Sequence, residues 1–417
     1  MPSSNQYEDI DIVQSTQYKV PPTRIAKKPP PEPWKFPSFK PFEIDDWHDH
    51  GQPNLPHNVN TSDPLAIFGL FFTDDIMDKL VQWTNEFAEL HQPSDEEAPK
   101  GCPRSWQPIS RTELYAYFGT LIHMGLTTES CVEDYWGNLT TDGVSHIVKN
   151  YIGKTRFEQL NRYFQASQPL PDEPPQQRTT FDRVNDLSEH LRLLSRKLYT
   201  PGAYFTINET IQRFTGRAKE IVNIPSKPTP EGFKIWILSN EGYVLDWMWH
   251  AKGVNKGPVN LDTAFTQEGF SKTQAVVLDF LLQEDEATKE RLYSPGKHVV
   301  WLNNLFTSVK LLSRLQELGI GAAGTVRTTR TRREELGDEE SDIKVNATGR
   351  QKQKTPAEQM DPQLVELKLT HAGQIPWGTL YSSLSKDSTV MEFAWKDANI
   401  VLFISTVHNG KLFYLIR

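Results

Sequence analysis

The sequence predicts an α/β protein in which a helical region precedes a domain of alternating strands and helices. Residues 64–199 carry amphipathic helical patterns. The pattern changes at Pro201-Gly202, after which short β-type runs such as AYFTIN and GFKIWILSN are separated by turn residues. From residue 271 onward, helical and strand patterns alternate. Alternation of this kind is typical of a sheet covered by helices.

Composition excludes several classes of protein. The chain of 417 residues has a net charge of -8, which argues against a surface coated in basic residues but leaves room for a local basic groove. Its 2 cysteines cannot form a disulfide framework or a four-thiolate zinc site. The sequence shows neither a secretory signal nor an apolar run of about 18 residues. We therefore expect an intracellular protein with no membrane partner and no small-molecule cofactor.

Residues 1–60 are proline-rich and show no repeating apolar face. This composition predicts a tail that is disordered or extended. Its basic residues are interpreted as part of a solvated linker in preference to a nuclear address or a phosphate contact. They are Arg24, Lys27, Lys28, Lys35 and Lys40.

Four helices are predicted within residues 64–199. The first follows Thr73 as N-cap, the second begins at Ser110 with a capping box to Glu113, and the others cover 154–165 and 181–199. His123 lies in the second helix, where we predict a packed histidine because no second metal ligand is nearby in sequence.

The remaining residues, 200–417, contain in order three strands, a helix, a strand, a helix and a strand, followed by a hairpin. This is the element order of an RNase-H-like α/β domain. Residues 328–362 are polar and highly charged, which predicts a surface insertion.

Four short motifs follow one another at the start of this domain. They are Asn208-Glu209, then Phe214 to Arg217 (FTGR), Pro225 to Pro228 (PSKP), and Gly232 to Lys234 (GFK). Further along come Asn303 to Ser308 (NNLFTS), Gly324 to Arg327 (GTVR) and Trp395 to Asp397 (WKD). In order and spacing these motifs resemble the piggyBac transposase family, including fungal members. The resemblance covers roughly residues 64–410 and implies a helical dimerisation and DNA-binding region before an RNase-H-like domain.

The resemblance also shows where the chain departs from the family. Family members hold two Mg²⁺ ions with three acidic residues, and the first two positions here are Asn208 and Asn303. The third family acid lies in a Gly-Gly-Val-Asp segment after the last hairpin strand, and neither that segment nor the cysteine-rich module beyond it occurs before Arg417. An asparagine offers a carbonyl oxygen but no charge, whereas a pair of Mg²⁺ ions requires hard anionic oxygens. The resemblance therefore implies a degenerate site, with no metal bound and no catalysis.

Two other acids could replace the lost ligands. Glu209 directly follows Asn208, so on a strand its side chain is expected to point to the opposite face. Asp246 falls in a different predicted strand. We interpret both as structural or solvent-facing.

DNA binding depends on Arg and Lys and not on the metal site, so it could outlast catalysis. The resemblance favours Arg217, Lys227 and Arg327 as phosphate contacts, with Arg213, Lys219 and Lys234 as further candidates. A solvated charged surface is the alternative, and it is preferred for Arg330, Arg332 and Arg333 because EELGDEESD follows them.

The function predicted from the sequence is a transposase-derived protein without catalysis that retains DNA binding. It is expected in the nucleus, with the cytoplasm as the alternative, and duplex DNA and a second copy of the chain are its candidate partners. An active two-metal transposase and a protein-interaction scaffold without nucleic acid remain as alternatives.

Overall fold

The computed structural model describes residues 29–91, 105–137, 145–169, 179–225, 227–251, 257–285, 287–326 and 360–410. Arg327, Arg330, Arg332 and Arg333 lie outside the described residues, as does nearly all of the predicted insertion.

Helices are the regular elements of the described residues between Pro64 and Lys197. They are α1 (Pro64–Phe71), α2 (Asp74–His91), α3 (Arg111–Leu126), α4 (Lys154–Tyr163) and α5 (Asn185–Lys197), with short 3-10 helices at Val132–Trp136, Ile147–Asn150 and Thr180–Arg183. Their apolar faces meet in one core that includes Met77, Leu80, Leu114 and Leu160, each 0% exposed. Burial of these faces, and not helix propensity alone, stabilises helices of this length.

The capping box predicted at the start of α3 is present. Ser110 Oγ accepts from the backbone N–H of Glu113 at 3.3 Å, and Glu113 Oε2 accepts from the backbone N–H of Ser110 at 3.2 Å. Both bonds occupy backbone donors that have no partner within the helix.

We therefore expect Ser110→Ala to lower the free energy of unfolding by about 1 kcal/mol. Urea titration measures the change, and Ser130→Ala, at an exposed serine beyond the same helix, is the control. Equal stability of the two variants would contradict the assigned cap.

The strands form one mixed sheet and a separate two-stranded ladder. They are β1 (Gln52–Pro53), β2 (Tyr199–Thr200), β3 (Tyr204–Arg213), β4 (Val222–Asn223), β5 (Glu231–Asn240), β6 (Tyr243–Ala251), β7 (Gly257–Pro258), β8 (Val299–Leu302), β9 (Gly321–Thr325), β10 (Leu380–Leu384), β11 (Met391–Lys396) and β12 (Ile400–Ser405). The main sheet has the order β10-β11-β12-β9-β8-β3-β5-β6-β7, with β4 beside β5. The three central strands β3, β8 and β9 are parallel, and the flanking pairs are antiparallel. The predicted mixture of helices and strands is thus confirmed.

Helices pack on this sheet and complete its core. They are α6 (Thr263–Gln267), α7 (Lys272–Leu281), α8 (Val309–Glu317) and α9 (Pro362–Glu366). The side chains of Val276, Val277 and Leu278 in α7 are each 0% exposed. This is expected because α7 belongs to the crossover that connects the parallel strands β3 and β8. The prediction that residues 328–362 form a surface insertion was wrong at the C-terminal end of that range, because Met360 is only 2% exposed and Pro362 begins α9.

The prediction of a disordered tail was wrong for residues 29–53, which we call the proline-rich segment. Trp34 packs against Tyr381 and donates to the carbonyl of Ser382, and the Tyr381 hydroxyl donates to the Pro31 carbonyl at 2.8 Å. Phe42 donates from its backbone N–H to Thr406 at 2.8 Å. Aromatic side chains can be buried one at a time along an extended chain, so the absence of helical or strand periodicity did not exclude order. Residues 1–28 lie outside the described residues.

None of the described helices combines the length and apolar character that crossing a lipid bilayer requires.

Candidate functional site

Asn208 and Asn303 lie side by side at one place in the sheet. Strand β8 pairs with β3 in parallel from Val299 to Leu302, opposite Tyr204 to Ile207. Each asparagine is therefore the next residue after the last paired position. Asn208 does not end its strand, because β3 continues through pairing with β5 as far as Arg213.

The two side-chain amides are hydrogen-bonded to each other. Asn303 Nδ2 donates to Asn208 Oδ1 at 2.8 Å. The backbone N–H of Leu305 donates to Asn303 Oδ1, and that of Glu209 donates to Asn208 Oδ1, both at 2.8 Å. Backbone N–H groups can only donate, so they fix which side-chain atom is oxygen. Both amide oxygens are therefore committed to donors within the protein.

Glu209 belongs to the same cluster. Its carboxylate Oε2 lies 3.4 Å from Asn303 Nδ2, and its side chain is only 12% exposed. The prediction that Glu209 points away from the asparagines was wrong. Among the described residues, no strand pairs with β3 on the β8 side beyond Ile207, so the long glutamate side chain can fold back across that open strand edge.

Lys227 neutralises this carboxylate. It lies in the turn between β4 and β5, where its backbone N–H donates to the Ile224 carbonyl at 3.0 Å. Its ammonium Nζ lies 2.8 Å from Glu209 Oε1 and 3.2 Å from the Glu209 carbonyl. Sequence reasoning predicted Lys227 as a phosphate contact and missed this ion pair.

The other candidate phosphate contacts differ in their exposure. Arg217 is exposed in the turn between β3 and β4, near the exposed Arg213 and Lys219. Lys234 is buried at 7%, with its Nζ 4.0 Å from the centre of the Trp236 ring. Lys234 is therefore not available as a surface contact.

Asp246 has a structural role, and the alternative of a solvent-facing side chain was wrong. Its side chain is 0% exposed and accepts from Arg192 Nε at 2.5 Å and from Arg196 Nη1 at 2.8 Å. Gln283 Nε2 donates to the same carboxylate at 2.9 Å. Both oxygens are occupied, and the cluster ties α5 to β6 and to the end of α7.

His123 has a histidine partner that sequence distance concealed. Its Nε2 lies 3.0 Å from His146 Nδ1, and His146 Nε2 lies 2.9 Å from Glu129 Oε1. The chain of contacts joins the end of α3 to the segment before the 3-10 helix Ile147–Asn150. His146 is 23 residues away in sequence, which explains why spacing alone did not indicate it.

The arrangement at Asn208 and Asn303 does not fit a pair of Mg²⁺ ions. Such ions require several anionic oxygens that are free to bind them, and here the amide oxygens and the single carboxylate already face N–H donors. Over the described ranges, no three His, Cys, Asp or Glu side chains are grouped so that they could hold a metal ion.

Comparisons with known proteins agree on one family. A family model described as Transposase IS4 matches residues 63–415. The human PiggyBac transposable element-derived protein 2 is 25% identical over 283 residues, which is 66% of this chain and 42% of that protein. The human PiggyBac transposable element-derived protein 3 is 24% identical over 265 residues, which is 63% of this chain and 40% of that protein.

A solved structure shares the fold. It is the cryo-EM structure of a piggyBac transposase synaptic complex with hairpin DNA, similar with a TM-score of 0.55 and 22% sequence identity. The match covers 84% of this chain and 62% of that one. The chain thus spans about two fifths of the length of the curated relatives and less than two thirds of the solved structure.

Proposed function

Because this chain belongs to the IS4/piggyBac transposase family, we propose that it is a piggyBac-derived protein that binds duplex DNA without cutting it. Its sheet-containing part is then an RNase-H-like domain whose catalytic centre has become a neutral hydrogen-bonded cluster. The proposal includes a nuclear location, where chromosomal DNA is found.

The hydrogen bond between Asn303 and Asn208 carries the proposal of inactivity. In-line attack on a phosphodiester uses two cations about 3.5–4 Å apart, one at the attacking oxygen and one at the leaving oxygen. Two carboxylates at these positions would repel each other and attract cations, whereas the amides attract each other at 2.8 Å. At about 4 Å and an effective dielectric near 20, each lost contact between a carboxylate and a divalent ion removes several kcal/mol.

The proposal of DNA binding rests on two facts. The related solved structure is a complex with hairpin DNA. Arg213, Arg217 and Lys219 are exposed around the turn that follows β3, where contacts with phosphates would need no metal ion.

A strand-cleavage assay tests the first half of the proposal. With duplex DNA that carries transposon-end sequences, and with Mg²⁺ or Mn²⁺, we expect no product above the background without protein. Product that accumulates with protein concentration would instead support an active transposase.

A binding assay tests the second half. We expect affinity for duplex DNA to fall steeply with salt, as it does when Lys and Arg displace counterions from phosphates. A flat dependence or no binding would favour a protein-interaction scaffold.

A further inference from the structure

The cluster around Asn208 is formally neutral. Glu209 supplies one negative charge, Lys227 supplies one positive charge, and the two asparagines supply none. Aspartates at positions 208 and 303 would make the same cluster doubly negative. A DNA phosphate could approach such a surface only if cations came with it.

Two donors of the cluster remain available to a ligand. Asn208 is exposed, its oxygen is occupied, and no described residue accepts from its Nδ2. Lys227 is 28% exposed and has two acceptors, the carboxylate and the carbonyl of Glu209, which leaves one of its three N–H groups. The cluster therefore presents an amide N–H and an ammonium N–H to solvent. Both are hydrogen-bond donors, as an anionic ligand requires.

The loss of two carboxylates has a large effect on an approaching phosphate. At about 5 Å and an effective dielectric near 20, the repulsion from one carboxylate corresponds to roughly a few hundredfold in affinity. Solvent screening at this half-exposed surface reduces the repulsion. We therefore expect the two carboxylates together to lower the affinity for the phosphate by at least about tenfold.

We propose that the surface formed by Asn208, Asn303 and Lys227 binds a phosphodiester group of duplex DNA directly, without a divalent cation. The inference rests on the proposed DNA binding and adds its location and its independence of metal. The two asparagines would then have two effects. They abolish DNA cleavage, and they allow DNA to bind without Mg²⁺.

The test measures the affinity of the full chain for a fluorescent DNA duplex in EDTA and in Mg²⁺. We expect the unmodified protein to bind equally under both conditions. We expect Asn208→Asp with Asn303→Asp to bind at least about tenfold more weakly in EDTA and to recover with Mg²⁺. Asn150→Asp with Asn260→Asp adds the same charge at two exposed asparagines elsewhere and is the control, expected to show little change.

A second variant covers the case in which the paired aspartates prevent folding. Lys227→Gln should weaken binding in EDTA and reduce the slope of log affinity against log salt by about one, since one phosphate contact is lost. Circular dichroism of each variant checks that it is folded.

The outcomes separate the two proposals. If the unmodified protein binds no duplex DNA, the proposed function fails and this inference fails with it. If it binds DNA, but EDTA weakens that binding or the paired aspartates and Lys227→Gln leave it unchanged, only this inference is overturned.

Discussion

Replacement of Asp246 by asparagine is expected to lower the free energy of unfolding by roughly 3–5 kcal/mol. The carboxylate is fully buried between Arg192 and Arg196, and it also accepts from Gln283. Without its charge, the Arg196 guanidinium, which is 24% exposed, would lose this counterion. The Arg192 guanidinium, which is 18% exposed, would keep its ion pair with the exposed Glu189 but lose its buried partner. Removal of one member of a buried ion cluster costs more than the cluster contributes, because the remaining charges stay desolvated.

Chemical denaturation of the full chain measures this change. The matched control is Asp75→Asn, which removes an exposed ion pair with Lys79 and should change stability far less, because water screens that pair. Similar losses for the two variants would show that the Asp246 cluster is not the anchor between α5 and the sheet.

Replacement of Glu392 by glutamine is expected to stabilise the protein at pH 8 by about 1–2 kcal/mol. Glu392 lies on β11 with 1% exposure, and burial raises the pKa of its carboxyl group to about 7. Its Oε2 accepts from the backbone N–H of Asp361 at 2.7 Å, which a glutamine oxygen can also do, while Oε1 has no hydrogen-bond partner. The glutamine avoids a buried charge but leaves its amide group without a partner, so the gain is smaller than the pKa shift alone would give.

The pH dependence distinguishes this cause from better packing. Because the pKa of Glu392 is raised from 4.5 to about 7 in the folded protein, its contribution to stability is complete below pH 4.5 and is lost as pH rises through 7. The advantage of the variant should therefore be present at pH 8 and vanish near pH 4.5. Glu366→Gln, at an exposed position of α9, is the control substitution. An advantage for Glu392→Gln that stays constant with pH would exclude the proposed ionisation.

Local signals in the sequence predicted the helices and central strands well. The Ser110 capping box fixed the start of α3, and the alternating runs fixed β5 and β6. Elements without a strong periodic pattern were missed, notably α1 and the edge strand β10. The packed proline-rich segment was missed for a related reason, because its order comes from partners more than 300 residues away, such as Ser382 for Trp34.

The site was predicted in part. Adjacent parallel strands explain why residues as distant in sequence as Asn208 and Asn303 meet. Alternation along a strand, however, predicted the wrong side for Glu209. Alternation describes the direction of the Cα–Cβ bond, but it does not determine where the end of a long side chain lies at an open strand edge. The ion pair with Lys227 depends on the path of the turn between β4 and β5. The spacing of residues in the sequence does not determine that path.

The proline-rich segment has a consequence for synthesis on the ribosome. Trp34 is made 348 residues before Ser382, to which it is hydrogen-bonded in the folded protein. At typical translation rates the interval is roughly 20–70 s. During that time the aromatic side chains of the segment lack the strands they pack against in the folded protein, so they stay exposed until the last strands emerge.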